Sequence, residues 1–135
     1  MSESRRGQRR AAAFLLYQRD LTGNEFAPLY AAHERDNGAP PGDFARGAAE
    51  AVWADRERID ARIDAAARDW TAERMAVLER NILRLAVWEL QAGEVPPAVA
   101  IDEAVTLAKR YASPEAGALV NGVLGRVARE QGVGS

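Results

Sequence analysis

The sequence predicts an all-α protein with six or seven helices. Alanine, the best helix former, is abundant, and apolar residues recur every three or four positions along most of the chain. No segment alternates apolar and polar residues over the length of a strand. A chain of 135 residues is long enough for one domain that buries roughly two-thirds of its unfolded surface.

Two helices are predicted at the start of the chain. The first runs from about Arg9 to Leu21, with its apolar residues gathered on one face. Gly23 then suits the left-handed position that commonly ends a helix. A second, short helix follows Asn24 and carries apolar residues of its own.

A single third helix is expected after the turn-rich segment 36–43, with Asp43 as its N-cap. Its apolar residues keep a spacing of about four as far as Ile63, and Asp and Arg side chains occupy the outside. Thr71 is the expected cap of the next helix. That helix extends to about Ala92, where a Gly- and Pro-containing segment ends it.

Two further helices are predicted in the last third of the chain, the first with an apolar stripe that ends at Tyr111. Ser113 then precedes a proline and an acid, which is the pattern of an N-cap and a first helical turn. Asn121 and Gly122 form a common hairpin signal, but both flanks keep the helical period, which favours a helix. Gly122 either allows another backbone to approach closely or is simply tolerated.

Composition excludes several classes of function. The chain has no cysteine, which excludes disulfides and cysteine-ligated metals. No apolar run approaches the roughly 20 residues that span a bilayer, so a cytoplasmic protein is expected. His33 is the only histidine and has no carboxylates at ligand spacing, so no metal or other cofactor is expected. Ser113 is accounted for as a cap and no phosphate loop is present, so an enzyme is not expected.

Two glutamates lie on the apolar arc of the helix that ends near Ala92. Glu89 falls in the middle of that arc, so once buried it needs a partner, and an arginine or a helix start is expected. Glu79 lies nearer one edge of the arc. It is either an ordinary surface residue or an acid that is presented to a partner.

An arginine cluster opens the chain. On a helix that begins near residue 5, four arginines share one sector of roughly 140° with Tyr17: Arg5, Arg6, Arg9 and Arg10. Guanidinium groups bind phosphates and an aromatic ring stacks on a base, which is what a site for single-stranded nucleic acid requires. A solvated tail, with residues 1–8 as a flexible arm, is the open alternative. A membrane-surface anchor is disfavoured because the core needs the apolar face.

Four stretches of sequence resemble the NusB family of bacterial transcription antitermination factors. They are RRAAAFLLYQRDLTGN at 9–24, LERNILRLAVWEL at 78–90, VPPAVAIDEAVTLAKRY at 95–111 and LVNGVLGRVA at 119–128. They occur in the order and at the spacing of the family, whereas residues 25–70 resemble it only in helical pattern. The resemblance implies two packed three-helix bundles in a single RNA-binding domain over residues 1–135, with helical halves at about 9–68 and 70–131.

The resemblance also implies a function in transcription. Members of this family bind boxA-type RNA together with NusE, a small-subunit ribosomal protein, and join the elongating RNA polymerase with other Nus factors on ribosomal RNA operons. Carried over by position, the RNA-binding residues are Arg5, Arg6, Arg9, Arg10, Tyr17 and Glu73, and the NusE-binding residues are Glu79 and Glu115. Leu119 stands where the family usually has an aromatic residue. The family implies either a monomer or a homodimer.

Two alternatives to antitermination remain open. NusB-like domains also occur fused to RNA cytosine methyltransferases, so a free-standing module that positions RNA is one alternative. The other is a helical protein-interaction module that has lost RNA binding. RNA affinity distinguishes the protein-interaction module, which would lack it, from an antitermination factor and from an RNA-positioning module. Dependence on NusE then distinguishes antitermination from RNA positioning.

Overall fold

The computed structural model describes residues 4–68 and 71–131, and these ranges contain seven α-helices and one 3-10 turn. The helices are α1 (Arg5–Thr22), α2 (Phe26–Asn37), α3 (Asp43–Ala54), α4 (Arg56–Ala67), α5 (Val77–Ala92), α6 (Pro97–Tyr111) and α7 (Pro114–Glu130), with the 3-10 turn (Ala72–Arg74) between α4 and α5. The all-α prediction is confirmed for the described ranges. None of the described helices is both long and apolar enough to cross a membrane.

Local signals in the sequence set several helix ends as predicted. Gly23 ends α1 in the left-handed conformation, with a φ of 76°. Ser113 caps α7, because its hydroxyl accepts a hydrogen bond from the backbone N–H of Ala116 at 3.0 Å. Asn121 and Gly122 lie inside α7, so the hairpin reading is excluded.

The first helix begins earlier than predicted, at Arg5 rather than Arg9. Ser4 provides the cap, since its hydroxyl accepts a hydrogen bond from the backbone N–H of Gly7 at 3.1 Å. The arginine cluster is therefore helical, and residues 5–8 of the predicted arm belong to α1. Residues 1–3 of that arm lie outside the described residues.

The single third helix of the prediction is two helices, α3 and α4, because the chain turns at Asp55 (φ −107°, ψ 15°). The Arg56 guanidinium lies over the Trp53 ring, 4.2 Å from its centroid, and donates to the Trp53 carbonyl at 2.7 Å. A side chain that satisfies a free carbonyl in this way stabilises a helix end. The apolar spacing continues across the turn, so the periodicity does not reveal it.

A side chain from another helix caps α3. Asp43 is the first residue of α3 rather than its N-cap, and Gly42 occupies the cap position. The amide oxygen of Gln8 on α1 accepts hydrogen bonds from the backbone N–H groups of Phe44 and Ala45, at 3.0 and 3.2 Å. These are donors that an N-cap side chain ordinarily satisfies. The cap is a long-range contact, which explains why local sequence misassigned it.

The segment before α5 also differs from the prediction. Thr71 precedes the 3-10 turn, and α5 begins only at Val77. The Asp64 carboxylate accepts a hydrogen bond from the backbone N–H of Ala72 at 2.6 Å, which ties the turn to α4. Thr71 is therefore not the cap of a helix that continues to Ala92.

The helices pack in two groups that meet along α1 and α5. Helices α2 and α3 pack on α1, whereas α4, α6 and α7 pack on α5, and α1 contacts α5 directly. By its packing α4 belongs to the second group, although the sequence predicts residues 56–67 in the first half. One apolar core runs through both groups, and its fully buried side chains include Leu15, Leu16, Leu83 and Leu124. This packing fixes α1 relative to α5.

Candidate nucleic-acid interface

The four N-terminal arginines do not share one environment. Arg5 and Arg6 are exposed, Arg10 is half-buried and Arg9 is only 5 % exposed. A sector of roughly 140° spans both the outer side of a helix and part of its core side. Three of the four arginines therefore reach the surface of α1, and Arg9 does not.

Arg9 forms a buried ion pair with Glu89 of α5. Its Nε donates to the two carboxylate oxygens at 2.9 and 3.0 Å, and the side chains are 6 % and 7 % exposed. Burial raises the pKa of Glu89, and the hydrogen bond and charge of Arg9 oppose that rise without cancelling it. The prediction that Glu89 pairs with an arginine is confirmed.

Arg5 and Arg6 lie over neighbouring helices. The Arg6 guanidinium donates through Nε and Nη2 to Glu103 of α6, at 3.0 to 3.3 Å, and 76 % of its side chain remains exposed. Arg5 lies over the Phe44 ring of α3, 3.9 Å from its centroid. An ion pair this exposed to solvent is weak, so a phosphate can displace Glu103 at little cost.

Tyr17 is half-buried on α1 and packs edge-on against Phe14, with ring centroids 6.4 Å apart.

Arg10 and Phe14 also border a groove of about 240 Å³ between α1 and α2. His33 lines this groove and is half-buried, and its carbonyl accepts a hydrogen bond from the Asn37 amide at 2.9 Å. Among the described residues, no group of three or more histidine or acidic side chains is placed so that it could hold a metal ion.

A second groove, of about 440 Å³, brings together both predicted NusE-binding acids. Glu79 is half-buried in the first turn of α5, and Glu115 is exposed in the first turn of α7. Leu119 lies one turn beyond Glu115 and lines the same groove, and Arg74 and Met75 complete its opposite side. Each acid is favoured by the positive end of its helix. Glu73 is exposed in the adjacent 3-10 turn.

The sequence model of the NusB family matches residues 6–129 of this chain. The protein belongs to the NusB family. The family resemblance drawn from the four sequence stretches is thus confirmed.

Individual NusB proteins match over almost the whole chain. The transcription antitermination protein NusB of Rubrobacter xylanophilus is 43 % identical over 122 residues, which cover 90 % of this chain and 87 % of the relative. The T. maritima NusB structure superposes with a TM-score of 0.84 at 31 % identity, covering 96 % of this chain and 94 % of that chain. A crystal structure of the antitermination factors NusB and NusE with double-stranded RNA contains a similar chain. Its TM-score is 0.83 at 30 % identity, over 93 % of this chain and 96 % of that chain.

The chain also contains a mostly buried polar cluster that sequence reasoning missed. The Asp20 carboxylate accepts hydrogen bonds from Arg80 (2.7 Å), Arg84 (2.9 Å) and the amide of Asn81 (3.0 Å), and Arg84 also binds Asp60 at 2.7 Å. Burial would raise the pKa of Asp20, but these hydrogen bonds and charges outweigh it and lower the pKa. The sequence offers little signal for it, because Arg80, Asn81 and Arg84 lie on the same side of α5 as the exposed Gln91 and so resemble ordinary surface residues. The cluster fixes the C-terminal part of α1 against α4 and α5.

Proposed function

We propose that this protein is a transcription antitermination factor that binds single-stranded boxA-type RNA together with NusE. In this role it joins the elongating RNA polymerase and other Nus factors in the bacterial cytoplasm. The observation that carries the proposal is the outer surface of α1, where Arg5, Arg6 and Arg10 precede Tyr17 on the same helix. A similar chain is found in the structure of NusB and NusE with RNA, and the curated relatives bear the antitermination name.

In this proposal the surface arginines bind phosphates and Tyr17 stacks on a base. Three phosphate contacts give a salt dependence of about 2 log units in affinity per tenfold change in salt concentration. Arg9 acts differently from the other three arginines, because its guanidinium is enclosed with Glu89 and holds α1 against α5. The role of Glu73 in RNA binding rests on the family resemblance alone.

The groove between α5 and α7 is the proposed NusE site. Glu79 and Glu115 offer two carboxylates, and the half-buried Leu119 offers apolar surface in the same groove. This combination suits a basic protein with an apolar anchor, and ribosomal proteins are typically basic. The chain itself has a net charge of −2, so a basic partner beside it also extends the positive surface for RNA.

Fluorescence anisotropy with labelled boxA-like RNA and a scrambled RNA, each with and without NusE, tests the proposal. We expect selective binding of the boxA-like RNA that is strengthened by NusE. Arg10→Gln should weaken binding and reduce the salt dependence by about 0.7 log units per tenfold salt. Arg62→Gln on α4 is the matched control, because Arg62 has no carboxylate within 4 Å among the described residues and lies away from α1. Equal, weak binding of both RNAs would contradict antitermination.

The two proposed sites can be tested separately. The double variant Glu79→Gln/Glu115→Gln should lose the gain from NusE and keep the RNA affinity of the isolated protein. Selective RNA binding that ignores NusE would instead favour the RNA-positioning alternative, and NusE binding without RNA affinity would favour the protein-interaction module. Light scattering at the titration concentrations establishes whether the monomer or the homodimer binds.

A further inference from the structure

The RNA-facing side of α1 continues onto the C-terminal turn of α6. We propose that Arg110 and Tyr111 form a second part of the RNA-binding surface, in which Tyr111 stacks on a base and Arg110 binds a phosphate of single-stranded RNA. This inference rests on the proposed function, because it extends the same surface. Neither residue is among those that the family resemblance carries over.

Three aromatic rings form a continuous chain across the two helices. The Phe14 ring lies between Tyr17, at 6.4 Å between centroids, and Tyr111, at 5.1 Å, and both pairs are perpendicular within a few degrees (87°). All three side chains are half-buried, so each ring is fixed by packing and still reaches the surface. Edge-to-face packing holds rings in defined orientations. Tyr111 is therefore a preformed stacking surface, separated from Tyr17 by the Phe14 ring, of the kind that single-stranded RNA binding requires.

Two cations without a counter-charge among the described residues accompany these rings. Arg10 lies one helical turn before Phe14 on α1, and Arg110 is exposed beside Tyr111, its guanidinium carbon 5.5 Å from the ring centroid. Within residues 4–68 and 71–131, neither arginine has a carboxylate within 4 Å, whereas Arg6 and Arg9 are both paired. An unpaired guanidinium keeps its full attraction for a phosphate. The surface thus combines two unpaired cations with aromatic rings, as binding sites for single-stranded nucleic acid do.

A purely structural explanation of Arg110 makes a different prediction. A basic residue in the last turn stabilises a helix through its dipole, and Lys109 and Arg110 both occupy that turn of α6. If that were its only role, Arg110→Gln would lower the melting temperature and leave RNA affinity unchanged. RNA affinity and its salt dependence therefore decide between the two roles, and the melting temperature alone does not.

The test is a salt-dependent anisotropy titration of labelled boxA-like RNA with the wild-type chain and single variants. We expect Arg110→Gln to reduce the salt dependence by about 0.7 log units per tenfold salt, as one lost phosphate contact does. Tyr111→Leu should weaken binding about fivefold or more with the salt dependence unchanged, and Tyr111→Phe should bind as wild type does because it keeps the ring. Thermal melts identify any variant that fails to fold. If half-buried Tyr111 cannot be replaced by leucine without unfolding, the exposed variant Arg110→Gln is sufficient for the test.

Three outcomes separate this inference from the function on which it rests. The inference is supported if Arg10→Gln and Arg110→Gln both bind RNA more weakly than the wild-type chain and Arg62→Gln binds it equally well. If Arg10→Gln weakens binding and Arg110→Gln behaves like Arg62→Gln, the α6 extension is wrong and the proposed function stands. If the wild-type chain binds no RNA even with NusE, the proposed function itself fails, and the inference fails with it.

Discussion

Replacing Arg9 by methionine should destabilise the protein strongly at neutral pH, because it leaves the Glu89 carboxylate buried without its ion-pair and hydrogen-bond partner and with only the more distant charge of Arg5. In the native protein the two side chains are 6 % and 7 % exposed and joined by hydrogen bonds of 2.9 and 3.0 Å. Removing one partner of a buried ion pair typically costs about 3–5 kcal/mol. Native domains are stable by only about 5–15 kcal/mol in total, so the loss is a large share of it.

The loss should depend on pH in a defined direction. Burial already raises the pKa of Glu89 in the native protein, and removing Arg9 takes away a group that lowers it. A carboxyl whose pKa is higher in the folded than in the unfolded chain destabilises the fold as pH rises from the unfolded value, about 4.3, through the folded one. Arg9→Met should therefore be most stable near pH 4 to 5 and lose stability towards pH 7.5.

The double variant Arg9→Met/Glu89→Gln supplies the control, because it removes the ionisable group together with its partner. Urea unfolding at several pH values between 4 and 7.5 measures the difference. We expect the double variant to be more stable than Arg9→Met at pH 7.5 by about 2–3 kcal/mol, and the gap to close near pH 4. Equal stability of the two variants at pH 7.5 would refute the buried pair as the reason for the loss.

The same double variant separates the two roles that Arg9 could have. If Arg9 only positions α1, the folded double variant should bind RNA with the salt dependence of the wild-type chain. If Arg9 contacts a phosphate in the complex, the salt dependence should fall by about 0.7 log units per tenfold salt. We expect the first result, since the guanidinium is enclosed on the core side of α1.

Three further predictions concern stability. Asp20→Asn should cost about 2–4 kcal/mol at pH 7 in urea unfolding, and this advantage of the wild type should shrink progressively as pH falls below about 4, because the pKa of Asp20 is lowered in the fold; an advantage that does not change between pH 7 and the lowest pH tested would contradict this. Ser113→Ala should lower stability by about 1 kcal/mol, whereas Ser113→Asn should retain most of it. Gly122→Ala should raise the free energy of unfolding by up to about 1 kcal/mol, because a Cβ there meets nothing within 4 Å among the described residues; Gly117→Ala is the contrast, since its Cβ would clash with Cγ of Lys109.

Sequence predicted the parts of this fold that local interactions determine. Gly23 and Ser113 end and begin helices through their own backbone conformation or hydroxyl group, so their roles can be read from position alone. The start of α3 could not be read in this way. Its free N–H groups are satisfied by Gln8, which lies 36 residues from Phe44 in sequence. The turn at Asp55 was missed for a different reason: the contact of Arg56 with the Trp53 carbonyl is local, but the apolar period continues across the turn.

The candidate site was predictable in composition but not in detail. Helical geometry identifies the arginine cluster and Tyr17 because it predicts which residues share one side of α1. It does not predict which of those residues are buried by the helices that pack on α1. Arg9 and Arg10 are adjacent in sequence, yet one is buried with Glu89 and the other reaches the surface. Burial of Glu89 indicated that it needs a partner, but only the packing of α1 on α5 shows that the partner is Arg9.

The contacts between α1 and α5 bear on how RNA and NusE could act together. Arg9 pairs with Glu89 near the end of α5, and Asp20 pairs with Arg80 near its start, so α1 is fixed to α5 at two distant points. The proposed NusE groove begins at the first turn of the same α5. Both proposed surfaces therefore belong to one rigid unit, which limits the ordering that binding would require. We thus expect the gain in RNA affinity from NusE to come from the positive surface that NusE adds beside α1, and not from a change in the shape of this chain.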